Sequence, residues 1–405
     1  MTTTTTATAT RGRRASRPPL AVYILGAAIF AQGTSEFMIA GLLPGLTADL
    51  GINVPQAGML ITAFAIGMAI GAPVMTLLTL RLPRKLTLIS AAIGYVVMHL
   101  VAIMITDYYL LMATRIVAAV LYATFWAVSA VVATRIAGPR ATARAMAILV
   151  GGLSIANVLG VPAGTWLGTV FGWRAAFLAV AITTAVSAVM IMVLVPDVEQ
   201  RSQRPASISQ LVRAELVAFG RGRLWLALLT TALFQGGVFA AFSYFSPLLI
   251  NVTGVASTRV PLYLLLFGVG AFLGTTIGGR VADRGPLANV MISLSATAIA
   301  SVLLILVAGS PVLVAIAIAL YALAGFSIAG ALNGRVLTFA GSAPTLAAAV
   351  NTSAFNVGNA IGPWLGGLTI AAGLGFRAPV WVGMILLLAA LGVALISRSV
   401  ERPAH

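Results

Sequence analysis

Three ionisable side chains, Glu36, His99 and Arg115, stand inside long apolar stretches of the 405-residue sequence. Such a group is costly in apolar surroundings and is a functional candidate by default. A carboxylate near an arginine is pulled two ways, because desolvation favours its neutral form and the cation its charged form. It can then take up or release a proton as its surroundings open and close. Glu36 and Arg115 lie at similar distances from the ends of their stretches, about 10 Å deep from the same side at roughly 1.5 Å per helical residue. They are therefore placed to meet. A buried ion pair that only fixes two helices is the alternative reading of the same residues.

Helical spacing sets further side chains beside these. Gln32, Glu36 and Ile39 share one face, and so do Arg115, Tyr122 and Trp126. Aromatic walls suit a flat amphipathic ligand, since each stacked pair adds roughly 0.5–1.5 kcal/mol; ordinary helix packing explains such stripes equally well. Asn157 and Asn359 can bind solute hydroxyls or bond across helices, and Asn333, Asn351 and Asn356 are further polar candidates.

What is missing narrows the chemistry. There is no cysteine, and His99 and His405 are the only imidazoles. Disulfides, thiolate metal sites and cysteine nucleophiles are excluded. No nucleophile and base pair or metal cluster stands out, so neither enzymatic activity nor a cofactor or metal is expected. A G-x-x-x-x-G-K-[ST] loop is also absent, so ATP is not the direct driver, and an ion gradient or the solute's own gradient must be.

The elements that position these residues follow from composition. Hydrophobic residues make up 60% of the chain and charged ones 8%, against about 25% charged in an average soluble domain. Apolar runs of about 20 residues, each long enough to cross a hydrocarbon core, recur along the chain. The predicted spans are 20–43, 57–80, 86–106, 109–134, 145–170, 175–195, 224–250, 259–282, 287–308, 312–337, 345–371 and 377–397. The organisation is a polar tail over 1–19, six helices over 20–195, a basic linker over 196–223, six helices over 224–397 and a tail over 398–405. The net charge of +16 does not indicate nucleic acid, because the arginines sit in short gaps between apolar runs.

Twenty of the 24 lysines and arginines fall in alternate gaps and the tails, three (Arg174, Arg259 and Arg377) in the other gaps, and Arg115 within a span. The positive-inside rule then puts both termini in the cytoplasm. A cleaved signal peptide competes for the first apolar run, but that run is too long for one and continues into Gln32–Glu36.

Sliding the chain against itself by 203 residues brings rarer residues into register: Gln32 with Gln235, Pro44 with Pro247, Gly51 with Gly254, Arg81 with Arg284, Pro83 with Pro286 and Arg174 with Arg377. At an offset of 202, Asn157 and Gly160 meet Asn359 and Gly362. The repeat maps Gln32, Glu36 and Ile39 onto Gln235, Phe239 and Phe242. Two six-helix halves in the same orientation are parallel repeats, the arrangement of transporters that bind substrate near the midplane and rock one half against the other.

Gly279-Arg280-Val281-Ala282-Asp283-Arg284 fits the G-x-x-x-D-R loop pattern of the major facilitator superfamily. The first-half copy, Leu80-Arg81-Leu82-Pro83-Arg84-Lys85, keeps the basic residues and has leucine where the acid would lie. Gly152, Gly160-Val161-Pro162-Ala163-Gly164 and Gly168 resemble the glycine and proline motif of drug exporters that work by exchange. Ala31-Gln32-Gly33-Thr34-Ser35-Glu36-Phe37-Met38 and Gly237-Val238-Phe239-Ala240-Ala241-Phe242 look like drug:proton antiporters, a group that includes actinobacterial chloramphenicol exporters. Sugar and nucleoside exporters share the Thr-Ser-Glu-Phe segment.

The resemblance implies an all-α integral membrane fold of twelve helices in two pseudo-symmetric bundles and proton-coupled drug efflux by alternating access. Glu36 and Arg115 would couple protons. Gln32, Tyr122, Trp126, Asn157, Gln235, Phe239, Phe242 and Asn359 would bind substrate. Arg81, Arg84, Gly160, Pro162, Gly164, Asp283, Arg284, Gly362 and Pro363 would serve gating. His99 would pack on the outside of the bundle, as a neutral ring satisfied by a carbonyl, with a proton relay as the alternative. Asp49 and Asp107 lie in outer gaps of the predicted spans, where they are expected to stay solvated. The implied partners are a small solute, protons and the lipid bilayer of the plasma membrane, with no obligate protein partner and a monomeric state. The competing readings are export of sugars or purine nucleosides, and a membrane sensor or scaffold that transports nothing.

Overall fold

The computed structural model describes residues 18–79, 82–139, 141–197, 222–340 and 344–401. The first half comprises α1 (Leu20–Phe37), α2 (Ile39–Leu50), α3 (Val54–Leu78), α4 (Arg84–Met104), α5 (Tyr108–Ala137), α6 (Thr142–Ile155), α7 (Val161–Phe171) and α8 (Trp173–Leu194). The second comprises α9 (Gly222–Phe242), α10 (Phe245–Asn251), α11 (Val260–Ala282), α12 (Pro286–Val307), α13 (Pro311–Phe326), α14 (Ala329–Ala340), α15 (Pro344–Ala371) and α16 (Ala378–Glu401). Eleven helical segments among the described residues are long and apolar enough to cross a membrane. The twelfth long helix, α15, has 28 residues. Asn351, Asn356 and Asn359 lower its apolar character, and all three are buried.

The predicted spans coincide with these helices, with one consequential difference. The first span does not stop at residue 43; it breaks at Met38 and resumes as α2, with Pro44 inside, as far as Leu50. A proline removes a helix donor and crowds the preceding turn, so a bent span is the physical expectation. Glu36 therefore lies deeper in its span than its predicted end implied. The seventh span breaks similarly at Ser243–Tyr244, ahead of Pro247 in α10. Gly51 and Gly254 end α2 and the α10 segment at φ 64° and 74°, left-handed conformations that favour glycine, at matched repeat positions. In the fifth span one π-turn, Ala156–Gly160, separates α6 from α7 just before Pro162. Such turns recur at functional sites.

The halves meet crosswise. α3 of the first packs along α15 of the second, and α11 of the second packs along the π-turn and α7 of the first. α2 and α10 close one end of the seam. There the Tyr244 ring sits between the halves. A Cβ on Gly58 would lie 2.2 Å from its hydroxyl and one on Gly367 2.7 Å. Outward faces carry large apolar side chains, among them Met104, Val193 and Leu306. Such faces suit a hydrocarbon solvent.

Candidate functional site

Glu36 is the last but one residue of α1, buried beside the seam. With Phe37, Ile61, Phe64 and Ala65 of its own half, and Phe239 and Asn359 of the other, it lines a space of about 10 Å³. That is room for about one water, whereas ligand pockets measure roughly 300 Å³ or more. A drug-sized solute does not fit this space. On the other face of the same seam α3 and α15 leave an apolar groove of about 420 Å³, lined by Thr62, Ile66, Ile361 and Trp364 among others. A hydrogen bond from Thr62 Oγ1 to the Ala360 carbonyl (3.1 Å) ties the two helices there.

Arg115 of α5 is fully buried and near Glu36, yet no ion pair joins the two among the described residues. The guanidinium turns instead to the preceding residue, donating from Nη1 to Ser35 Oγ and from Nη2 to the Ser35 carbonyl, each at 2.9 Å. It also lies over the Phe64 ring at 4.3 Å. His99 is not on the outside of the bundle. It is buried, with Nδ1 2.9 Å from the Tyr95 carbonyl and Nε2 2.7 Å from Ser35 Oγ. Its expected carbonyl partner is present; its location is corrected because α4 turns this face inward, toward α1 and Phe177 of α8. The Tyr95 hydroxyl donates to the Gln32 carbonyl at 3.0 Å.

Gln32 is fully buried, and neither side-chain amide atom has a partner among the described residues. Its repeat mate Gln235 donates to Asn359 Oδ1 at 2.9 Å. Asn157, the mate of Asn359, lies in the π-turn and donates to Leu153 O at 3.1 Å. Tyr122 is buried against Phe64 and Tyr95, while Trp126 is partly buried and packs on the first-half core. Phe239 borders the Glu36 space and meets Phe37 across the seam at 5.4 Å between ring centroids. Phe242 belongs to packing instead, stacked on Phe267 at 4.5 Å and ringed by Phe239 and Phe245.

The fifth-span glycines form a seam with the first span. Added Cβ atoms would lie 2.2 Å from Gly26 O at Gly152, 2.0 Å from Thr34 Oγ1 at Gly160, 3.0 Å from Met38 Sδ at Gly164 and 2.1 Å from Leu42 Cδ2 at Gly168. Small residues allow this approach, and Pro162 opens α7 directly after the π-turn. The second half repeats the seam, with a Cβ on Gly358 2.4 Å from Ala232 O and one on Gly362 2.3 Å from Gly236 O. The Pro363 carbonyl accepts from the Tyr244 hydroxyl at 2.8 Å, tying α15 to the ring that closes the end of the seam.

Of the loop charges, Arg84 is half-buried near Arg135 of α5. Asp283 and Arg284 are exposed at the end of α11 and form no ion pair among the described residues. Arg81 lies outside the described residues.

Three features escaped the sequence reading. Arg335, counted there with the charges of the cytoplasmic gaps although the predicted span 312–337 reaches past it, is buried in α14 and donates to Glu401 Oε1 (2.6 Å) and Ser397 Oγ (2.8 Å) of α16, which runs past its predicted end. Asp49 is not simply solvated: it accepts from Trp173 Nε1 at 2.9 Å and pairs with Arg174. These contacts hold its carboxyl below the usual carboxylate range, the Trp173 hydrogen bond first and Arg174 second. Asp107 caps α5 by accepting from Leu110 N at 2.8 Å.

The relatives agree with this architecture. The Major Facilitator Superfamily profile matches residues 25–343. A chloramphenicol resistance protein of Streptomyces lividans is 36% identical over 382 residues, covering 94% of this chain and 97% of the relative. The inner membrane transport protein YdhP of Escherichia coli K12 is 36% identical over 384 residues, covering 94% and 96%. A bacterial homologue of the human lysosomal transporter Spinster, solved inward-facing and unoccupied, superposes with a TM-score of 0.74 at 17% identity, covering 95% of this chain and 98% of that one. With twelve long helices in two crosswise-packed halves, the chain belongs to the major facilitator superfamily and is a multi-pass membrane transporter.

Proposed function

We propose that the protein exports a small amphipathic drug, chloramphenicol or a relative, in exchange for protons. The observation that carries this reading is the buried carboxylate of Glu36 in the small space between the halves, with Arg115 nearby and Phe239 and Asn359 facing it from the other half. A group so placed changes surroundings whenever the halves part, which is what coupling requires. The likeness to a chloramphenicol resistance protein supports the choice of drug.

In the proposed cycle the drug enters from the cytoplasm or inner leaflet and binds between Gln32, Tyr122 and Trp126 on one side and Phe239 and Asn359 on the other. The halves then rock about the seam. Tyr244 leaves its place between Gly58 and Gly367, and a proton moving inward through Glu36 accompanies drug moving outward. One charge falling through 100 mV releases about 2.3 kcal/mol, enough for roughly a 50-fold concentration ratio. The protein acts as a monomer in the plasma membrane with both termini in the cytoplasm, and carries out no covalent chemistry.

Expression in a sensitive host raises chloramphenicol tolerance, and a protonophore restores intracellular accumulation. Unchanged tolerance alongside verified membrane insertion overturns the drug assignment and turns attention to sugars and nucleosides. Glu36→Gln inserts normally and loses uphill export; proton-driven export near the parent level by that variant removes Glu36 from coupling.

A further inference from the structure

Around Arg115 each hydrogen bond has a direction that the chemistry fixes. The Tyr95 carbonyl only accepts, so His99 Nδ1, at 2.9 Å, carries the proton. In the neutral ring Nε2 is then the acceptor, so the Ser35 hydroxyl, at 2.7 Å, spends its one hydrogen on His99. The lone pairs of Ser35 Oγ are thereby left to Arg115 Nη1 at 2.9 Å, and the Ser35 carbonyl takes Nη2 at the same distance. A buried guanidinium is thus seated on a hydroxyl and a carbonyl of the residue next to Glu36, while its Nε has no partner among the described residues.

We propose that Ser35 and His99 are positioning residues that park Arg115 beside Glu36 while the carboxyl holds its proton, and release it to the carboxylate when the proton leaves. The proposal rests on the coupling role of Glu36 and adds to it a competitor for the arginine. The two seats are adjacent in α1, so a rotation of the guanidinium about its own side chain exchanges them without moving a helix. Leaving Ser35 gives up two hydrogen bonds and gains a charge-assisted pair, which is favoured only once the carboxyl is ionised.

The titratable groups that face Arg115 are Glu36 from α1 and Tyr95 from α4, and those that face His99 are Arg115 and Tyr95; Tyr122 of α5 lies beside Glu36 and Tyr95. α3 and α8 contribute only the rings of Phe64 and Phe177. No second carboxylate among these competes for the arginine.

The test needs no transported solute. Infrared difference spectra of the full-length protein in lipid, taken across a pH titration, contain a protonated-carboxyl band assigned to Glu36 by its absence in Glu36→Gln. Ser35→Ala removes the hydroxyl arm of the competing seat and leaves only the Ser35 carbonyl, while His99→Leu removes the acceptor that aims the hydroxyl's lone pairs at Arg115. With the seat weakened, the band titrates away at lower pH by about one unit, the size of shift that an opposite charge at contact produces. His99→Gln, whose amide oxygen can replace Nε2 as acceptor, restores the parent midpoint. Midpoints that stay together in all four proteins, or a band that never titrates, overturn the proposal.

Should the Ser35 and His99 variants fail to insert, the parent protein still decides. It has two imidazoles, and 15N-histidine spectra must show His99 as the Nδ1–H tautomer; the Nε2–H tautomer overturns the parking site. A midpoint shift as expected together with uphill export by Glu36→Gln leaves the parking site standing and removes the coupling role alone.

Discussion

At matched positions of the repeat the first half carries Gln32, Glu36 and Asn157, and the second carries Gln235, Phe239 and Asn359. In the second half the polar pair is closed, Gln235 to Asn359 at 2.9 Å, and the third position is a ring packed among rings. In the first half the glutamine amide is buried without a partner among the described residues, the asparagine bonds back to Leu153 in the preceding turn of its own span, and the third position is an ionisable group near an arginine. One backbone plan thus supports a satisfied half and an unsatisfied one. Buried polar groups without partners are costly in a finished structure, so under the proposed function the first half is where a solute or a proton has something to gain.

The glycine seams are the part of the plan both halves share, and they separate most sharply under substitution. At Gly362 an added Cβ meets backbone, 2.3 Å from Gly236 O and 2.8 Å from Ala240 N. At Gly160 it meets the Thr34 side chain, 2.0 Å from Oγ1. Overpacking of a tight contact costs about 1–3 kcal/mol. Gly362→Ala falls at the upper end of that range, because neither backbone atom can turn aside. Gly160→Ala costs less, and Thr34→Ala in the same chain recovers most of the loss. Thermal unfolding in detergent measures all three; equal losses at the two glycines, or no recovery in the double variant, would contradict the distinction.

The two glutamines give the next largest contrast, with opposite signs. Gln235→Leu strands Asn359 Oδ1 in a buried site, for about 1–3 kcal/mol. Gln32→Leu removes an amide that bonds to nothing among the described residues and is neutral or stabilising to unfolding. Under the proposed function the same change raises the KM for chloramphenicol efflux, since the solute loses a partner. A destabilised Gln32→Leu with unaltered KM would place the amide in packing rather than in the binding site.

Much of this architecture can be read from residue order. Twelve apolar spans, the 203-residue repeat and the close-packed glycines all leave periodic marks in the chain. The parts that escaped depend on rotation about helix axes. The resemblance gives His99 an outward face, yet it points into the bundle, where its bond to Ser35 and that of the Tyr95 hydroxyl to the Gln32 carbonyl tie this face of α4 to α1. Glu36 and Arg115 were matched by depth. The guanidinium nonetheless chose the neighbouring serine, a difference of one residue and about 100° around α1 that spacing alone does not resolve. Tyr244 was invisible for another reason: its value lies in two glycines, Gly58 and Gly367, far away in sequence and in opposite halves.

The smallest contrast lies at the end of the seam where α2 stops. In the first half Arg174 pairs with Asp49, stacks on Trp173 at 4.5 Å and donates to the carbonyls of Ile103 (2.9 Å) and Ile105 (3.2 Å), binding three spans together. In the second half Arg377 is the matched arginine, but Val252 stands where the carboxylate would be. Asp49 is held below its ordinary value of about 3.9 by the Trp173 hydrogen bond and by Arg174. The unfolded chain therefore binds the proton more readily. The stabilisation is present above about pH 4 and is lost as the pH falls through the lower folded value. The Asp49 and Arg174 side chains are 42% and 34% exposed, so screening keeps the contribution below about 1 kcal/mol. Unfolding followed from neutral to acid pH shows a small extra loss in the parent protein that Asp49→Asn abolishes and Arg377→Ala leaves intact. An acid profile that survives Asp49→Asn assigns the loss to another carboxylate, and one that changes with Arg377→Ala means that the second half has a clamp of its own.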